Sequence, residues 1–152
     1  MKVTIDEERA DTADARSLVD ALEAELAAIY PDESRHGYAV DKLIARGVRF
    51  FVVRLEGAPV GCGGVEISGE HAELKRMFVL PSHRGRGISR ALIERLEGVA
   101  RSGGARVLRL ETGVHQLEAL GLYERSGFRK VAPFPPYFED PLSVCMAKLL
   151  VS

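Results

Sequence analysis

The chain has 152 residues, 46% hydrophobic and 28% charged, a balance that excludes an intrinsically disordered or fibrous protein. Lys and Arg number 21 against 22 Asp and Glu, so the net charge of −1 recruits neither nucleic acid nor an anionic membrane. A chain of this size buries roughly two-thirds of its surface on folding, which predicts one domain over 1–152 that needs no disulfide or metal to hold it.

In chain order, residues 3–5 predict a short edge strand. Asp11 or Thr12 then offers a helix cap, Leu18, Leu22, Leu26 and Ile29 recur at helical spacing, and Pro31 stops the helix. A polar connection at 32–37 leads to a second, shorter helix near 39–46 that ends at Gly47. The period then changes from helical to alternating. Strands are predicted at 50–55, 59–67 and 72–80, joined by the turn signals Glu56-Gly57 and Ser68-Gly69-Glu70, which makes an antiparallel meander. A Gly/Arg loop at 83–87 opens a helix carrying Ile88, Leu92, Leu96 and Val99, closed by Gly103-Gly104. A strand at 107–111, a helix at 116–126 and strands at 128–131 and 142–149 complete the chain, with a Pro-rich segment at 133–141 before the last strand. Strands with interspersed helices indicate a mixed-sheet α/β domain.

The charged first 14 residues do not read as a signal peptide, and no apolar run approaches the roughly 20 residues of a membrane span. A cytoplasmic location and no membrane partner are therefore expected. Cys62 and Cys145 fit neither a disulfide framework nor a zinc spacing and sit in apolar strands as small core residues. His71, His83 and His115 are too scattered to suggest a metal.

The most informative stretch runs Leu80-Pro81-Ser82-His83-Arg84-Gly85-Arg86-Gly87-Ile88-Ser89-Arg90, where a strand ends, a Gly-rich loop turns and a helix begins. The first turn of a helix carries unpaired N–H groups and a positive dipole end, and glycines let a ligand approach the backbone. The arrangement suits a phosphate or pyrophosphate, and Arg84, Arg86 and Arg90 add positive charge nearby. An ordinary strand–helix connection is the competing reading. No Gly-Lys-Ser/Thr follows, so it is not a P-loop, and Arg90 stands where a dinucleotide fingerprint needs its third glycine. Downstream, Ala119, Leu122, Tyr123, Gly127 and Phe128 form A-x-x-L-Y-x-x-x-G-F, which puts Tyr123 on a helix that closes just before a strand.

With both motifs in this order, the sequence resembles the GNAT superfamily of acyl-CoA-dependent N-acyltransferases, whose loop signature Q/R-x-x-G-x-G/A reads here as Arg84-Gly85-Arg86-Gly87-Ile88-Ser89. Ser89 replaces the usual Gly or Ala, and Gln116 replaces a frequent asparagine. The resemblance implies a mixed, mostly antiparallel sheet of about seven strands flanked by about four helices, in the order β-α-α-β-β-β-α-β-α-β-β. It implies an acetyl-CoA cosubstrate and an amine acceptor, direct transfer in a ternary complex, and no metal. By the same resemblance, the backbone of Arg84, Gly85, Arg86, Gly87, Ile88 and Ser89 holds the pyrophosphate, Phe78 and Val79 pair with the pantetheine arm, Ala119, Leu122 and Tyr123 flank the thioester, and Gln116 keeps an amide, on a longer arm than asparagine, to reach the cofactor. Tyr123 matches the tyrosine that returns a proton to the departing thiolate.

Glu73, 11 residues before Arg84, matches the general-base glutamate of histone-type members; pairing with Lys75 or Arg76 is its alternative role. Glu111 is the other candidate base, and a water relay is a third route. Tyr30 and His36 are candidate walls of the acceptor site or plain surface loop residues, Tyr137 and Phe138 are a candidate lid or pack the Pro-rich loop onto the sheet, and the acidic run over 6–33 leans weakly towards a cationic acceptor or is a solvated helix face. A non-catalytic acyl-CoA-binding or partner module is the rival reading, and a homodimer, common in the family, stays open.

Overall fold

The computed structural model describes residues 2–150. Strands β1 (Val3–Glu7), β2 (Arg49–Leu55), β3 (Ala58–Ser68), β4 (His71–Val79), β5 (Val107–Gly113), β6 (Arg129–Val131) and β7 (Ser143–Leu149) form one sheet in the order β1-β2-β3-β4-β5-β7-β6. Helices α1 (Ala13–Ala27), α2 (Val40–Ala45), α3 (Ile88–Ser102) and α4 (Leu117–Arg125) flank it. The element order and the mixed, mostly antiparallel sheet are those anticipated, and only β4 and β5 run parallel.

Strand alternation divides the core between the two faces. Phe51, Val53 and Leu55 of β2 pack with Leu92, Ile93, Leu96 and Ala100 of α3 and Tyr123 of α4. Phe50 and Val52 point the other way, onto Leu18, Val19 and Leu22 of α1 and Leu43 of α2. Each such side chain, fully buried, contributes about 1.5–3 kcal/mol of transfer free energy. Thr12 caps α1, its hydroxyl accepting from the Ala15 N–H at 3.2 Å and donating to Glu8 Oε2 at 2.6 Å. β5 runs two residues beyond the expected 107–111, because its antiparallel ladder with β7 continues to Gly113↔Ser143.

The sheet parts at its centre. β4 and β5 pair over only three positions, His71↔Val107, Ala72↔Leu108 and Glu73↔Arg109. Beyond them β4 stays with β3 up to Val79↔Gly61, while β5 stays with β7. A bulge lies where the arms separate: the register jumps from Gly64↔Lys75 to Cys62↔Phe78, so two steps on β3 span three on β4. The residue absorbing the extra step is Arg76, with φ of 55°. Bulges bend a strand and increase its twist, which turns the end of β4 away from β5 and opens a V.

Candidate active site

Two adjoining hollows occupy this V. The larger, about 850 Å³, runs along Phe78 and Val79 of β4, the loop and first turn of α3, and α4. The smaller, about 130 Å³, lies towards the vertex, between Lys75 and Arg76 of β4, Leu110 to Gly113 of β5 and the segment after α1. Five residues wall both: Leu22, Met77, Gln116, Ala119 and Tyr123. Tyr123 is the only titratable side chain among them.

The large hollow is shaped for an anion at one end. Gly85 and Gly87 adopt φ of 77° and 79°, conformations that disfavour any side chain, and the space a Cβ would enter there is open. Gly87 is also the cap residue of α3, and no side chain bonds the free N–H groups of the first turn. Ser89 and Arg90 wall the hollow with them, while Arg86 is exposed and does not.

Arg84 departs from its expected role. Its N–H donates to the Pro81 carbonyl at 3.4 Å, so the free donors begin at Gly85. Its guanidinium is engaged as well, Nε donating to the Val79 carbonyl at 2.9 Å and Nη2 to Glu25 on α1 at 2.8 Å. Arg84 braces β4 against α1 rather than offering free charge. Beyond Glu73, the edge of β4 that faces the V has no strand beside it, and Phe78 and Val79 lie along it.

At the junction, Tyr123 is held by α4 with its ring edge-on to Phe128 at 5.7 Å. Burial alone raises its pKa, so the phenol stays protonated, and among the described residues its hydroxyl bonds to no protein group. Gln116 precedes α4 and accepts from the Tyr30 hydroxyl at 3.3 Å, which leaves its amide N–H groups unengaged. The same Tyr30 oxygen accepts from the His115 N–H at 3.0 Å. Tyr30 is buried and ties α1 to the β5–α4 connection, so it is not a surface residue.

On the acceptor side the structure separates the two candidate bases. Glu73 walls neither hollow. It sits at the vertex, where Oε2 accepts from Lys75 Nζ at 2.7 Å and from the Tyr137 hydroxyl, and Lys75 also reaches Tyr137 at 3.1 Å and lies 3.9 Å from the centre of the Tyr38 ring. The paired role is the one the geometry displays. Glu111 does wall the small hollow, and burial raises its pKa against the opposing bond from the Ser143 hydroxyl to Oε2 at 2.6 Å. His36 and Tyr137 wall the same hollow and meet edge to face at 5.6 Å; Phe138 is largely exposed outside it.

Sequence reasoning missed Arg35 and Arg76, which both wall the small hollow. Most of the acidic run is paired with arginines. Glu7 pairs with Arg49, Glu8 and Asp14 with Arg54, Asp11 with Arg9, Glu23 with Arg35 and Arg76, Glu25 with Arg84, and Asp32 with Arg35. Those carboxylates are engaged within the protein, and neither they nor Asp6, Asp20 and Glu33, the rest of the run, wall the small hollow.

The profile of the Acetyltransferase (GNAT) family matches residues 15–128. The IAA acetyltransferase of Azospirillum brasilense is 44% identical over 135 residues, 88% of each chain. A solved structure of a candidate acyl-CoA N-acyltransferase from Klebsiella pneumoniae superposes with a TM-score of 0.83 at 34% identity, covering 98% of both chains. The PaiA N-acetyltransferase of Thermoplasma acidophilum, solved with coenzyme A, shares the fold at 19% identity, with a TM-score of 0.76 over 98% of this chain and 99% of that one.

Proposed function

From a chain that belongs to the GNAT acetyltransferase family, we propose an enzyme that moves the acetyl group of acetyl-CoA onto a primary amine by direct attack in a ternary complex. The observation that carries this reading is the position of Tyr123, shared by a cleft with an anion-binding end and a hollow with a buried carboxylate.

The residues present fit acetyl-CoA. The N–H groups from Gly85 to Ser89 and the open end of α3 suit its pyrophosphate, and the free edge of β4 at Phe78 and Val79 suits the pantetheine amides, as an added strand would. Ala119 and Gln116 flank the place where the thioester reaches the junction. When bound, the cosubstrate supplies the activated acyl carbon.

The chain then has three tasks. A lysine-like amine, with a pKa near ~10.4, arrives mostly protonated and must lose a proton before it can attack. Glu111 takes it, directly or through one water. Attack forms the N–C bond and places negative charge on the carbonyl oxygen, for which a backbone N–H of β4 near Phe78 or Val79 is the donor. The Tyr123 hydroxyl would give its proton to the sulfur as the C–S bond breaks, the newly bonded nitrogen would lose its remaining extra proton to water, and a proton from solvent would restore the phenol. Glu73 holds Lys75 and Tyr137 at the vertex without touching the reacting atoms.

The test is thiol release from acetyl-CoA across an amine panel, with IAA assayed beside it because the 44% identical relative is an IAA acetyltransferase. Cys62 is buried with its thiol pushed up to about 12, and Cys145 is buried and raised, so the protein's own thiols stay silent to the reagent. Tyr123→Phe should lower kcat about 10²-fold or more while CoA affinity holds. Undiminished turnover removes the proton-donor assignment, and CoA binding with no turnover of any amine leaves the non-catalytic acyl-CoA module.

A further inference from the structure

The walls of the small hollow carry three cations, Arg35, Lys75 and Arg76, and one carboxylate, Glu111. Lys75 is satisfied by Glu73 and Tyr137. The two arginines are not. Among the described residues three buried arginine Nε atoms donate to nothing: that of Arg109, outside the hollow, and those of Arg35 and of Arg76, whose side chain is only 3% exposed, in its wall. A buried donor without a partner is costly, and native proteins keep few of them.

Three features show that Arg76 is held in place at some cost. Its φ of 55° lies in the left-handed region, unfavourable for a side-chain-bearing residue and concentrated at functional sites. Gly37 leaves its guanidinium room: a Cβ there would stand 1.7 Å from Arg76 Nη1. The two arginines also share Glu23 of α1, which meets Arg76 through Oε1 and Arg35 through Oε2 at 3.3 Å, and Arg35 has the exposed Asp32 as a second partner. Glu23 does not itself wall the hollow, and its side chain is 41% exposed.

We propose that the acceptor is a small amine that also carries a carboxylate, a free amino acid, with that carboxylate held by Arg35 and Arg76 on the β4 side and its amine turned to Glu111 on the β5 arm. The inference rests on the acetyl-transfer reading above and specifies its substrate. Guanidinium groups bind carboxylates through paired N–H donors, and the orphan Nε atoms are the donors the protein leaves unused. A zwitterion then meets charge of opposite sign at both ends.

Turnover of free amino acids is compared with that of their C-terminal amides. The acids should show kcat/KM at least tenfold higher, and Arg76→Gln should raise their KM about 10–100-fold with little change in kcat, Arg76→Lys recovering part of the loss. Because an arginine at a bulge can be needed for folding, a second measurement uses the unaltered protein. With arginine Nε labelled by ¹⁵N, N-acetylalanine should shift two Nε–H resonances, assigned to Arg35 and Arg76, and N-acetylalanine amide should not.

Equal turnover of acids and amides, or equal shifts with both probes, overturns the carboxylate site and leaves acetyl transfer standing. No turnover of any amine by protein that binds acetyl-CoA overturns the transfer reading instead, and the arginine resonances then decide the carboxylate site alone.

Discussion

Glu111 and Glu73 are the same kind of residue on neighbouring strands of one sheet, and their surroundings differ. Glu73 lies where β4 and β5 still pair and is bonded to two partners. Glu111 lies where the strands have parted, buried enough that its carboxyl is harder to ionise than in water. A base acts only when deprotonated, so kcat/KM should rise with pH along an acid limb centred above 4.5, the ordinary glutamate value. Glu111→Gln should remove that limb and lower turnover by about 10²–10⁴-fold, while Glu73→Gln should keep it. Ser143→Ala should move the limb to higher pH, since the Ser143 hydroxyl favours the charged form. An acid limb lost in Glu73→Gln and kept in Glu111→Gln reverses the two assignments.

This division of roles could not be read from spacing. An offset from the loop points to Glu73, whereas burial and the reach of Tyr137, 64 positions away, depend on the folded sheet. Arg76 was read only as a partner for Glu73, because its actual place depends on a bulge and on Glu23, 53 positions earlier. The placement of Tyr123 on α4 and of Gly85 and Gly87 at the opening of α3 was legible because each belongs to a short stretch with its own characteristic spacing.

At the scale of elements, α3 does two jobs with two parts of its sequence. Its buried stripe, Leu92, Ile93, Leu96 and Ala100, anchors one face of the sheet; Leu92 and Leu96 were legible in it as a 3.6-residue period, whereas Val99, expected with them, is only partly buried. Leu96 has no exposed surface, so Leu96→Ala should cost about 2–5 kcal/mol. Thermal unfolding reads this as a loss of about 2–4 °C per kcal/mol for a chain of this length; a change below ~1 kcal/mol would mean the stripe repacks freely. The N-terminal end contributes little to that core, apart from Ile88. Gly87→Val should therefore separate the functions, because a β-branched residue at φ 79° closes the open approach over the first turn. CoA affinity should fall tenfold or more while the protein stays folded, and unaltered affinity removes the anion-loop assignment. Element ends were less legible than elements, since β5 stops where its ladder with β7 stops and not at a residue type.

The whole molecule is two half-sheets joined over three residue pairs, with a V between them that no strand fills. Nothing in the order of strands along the chain announces that gap, because each half is a well-formed ladder by itself. A ligand touching both arms acts as the missing connection. It binds only the folded state, so it stabilises that state by RT ln(1 + [L]/Kd), about 2.7 kcal/mol at a hundredfold excess over Kd. For a chain of this length that is a rise in Tm of about 5–11 °C. Acetyl-CoA and CoA should both produce it, because the pyrophosphate end is common to them. Tyr123→Phe should keep the rise, and Gly87→Val should lose it at the same ligand concentration. A rise that survives Gly87→Val in full would mean the coenzyme docks somewhere other than the V, which differential scanning calorimetry of the two variants side by side decides.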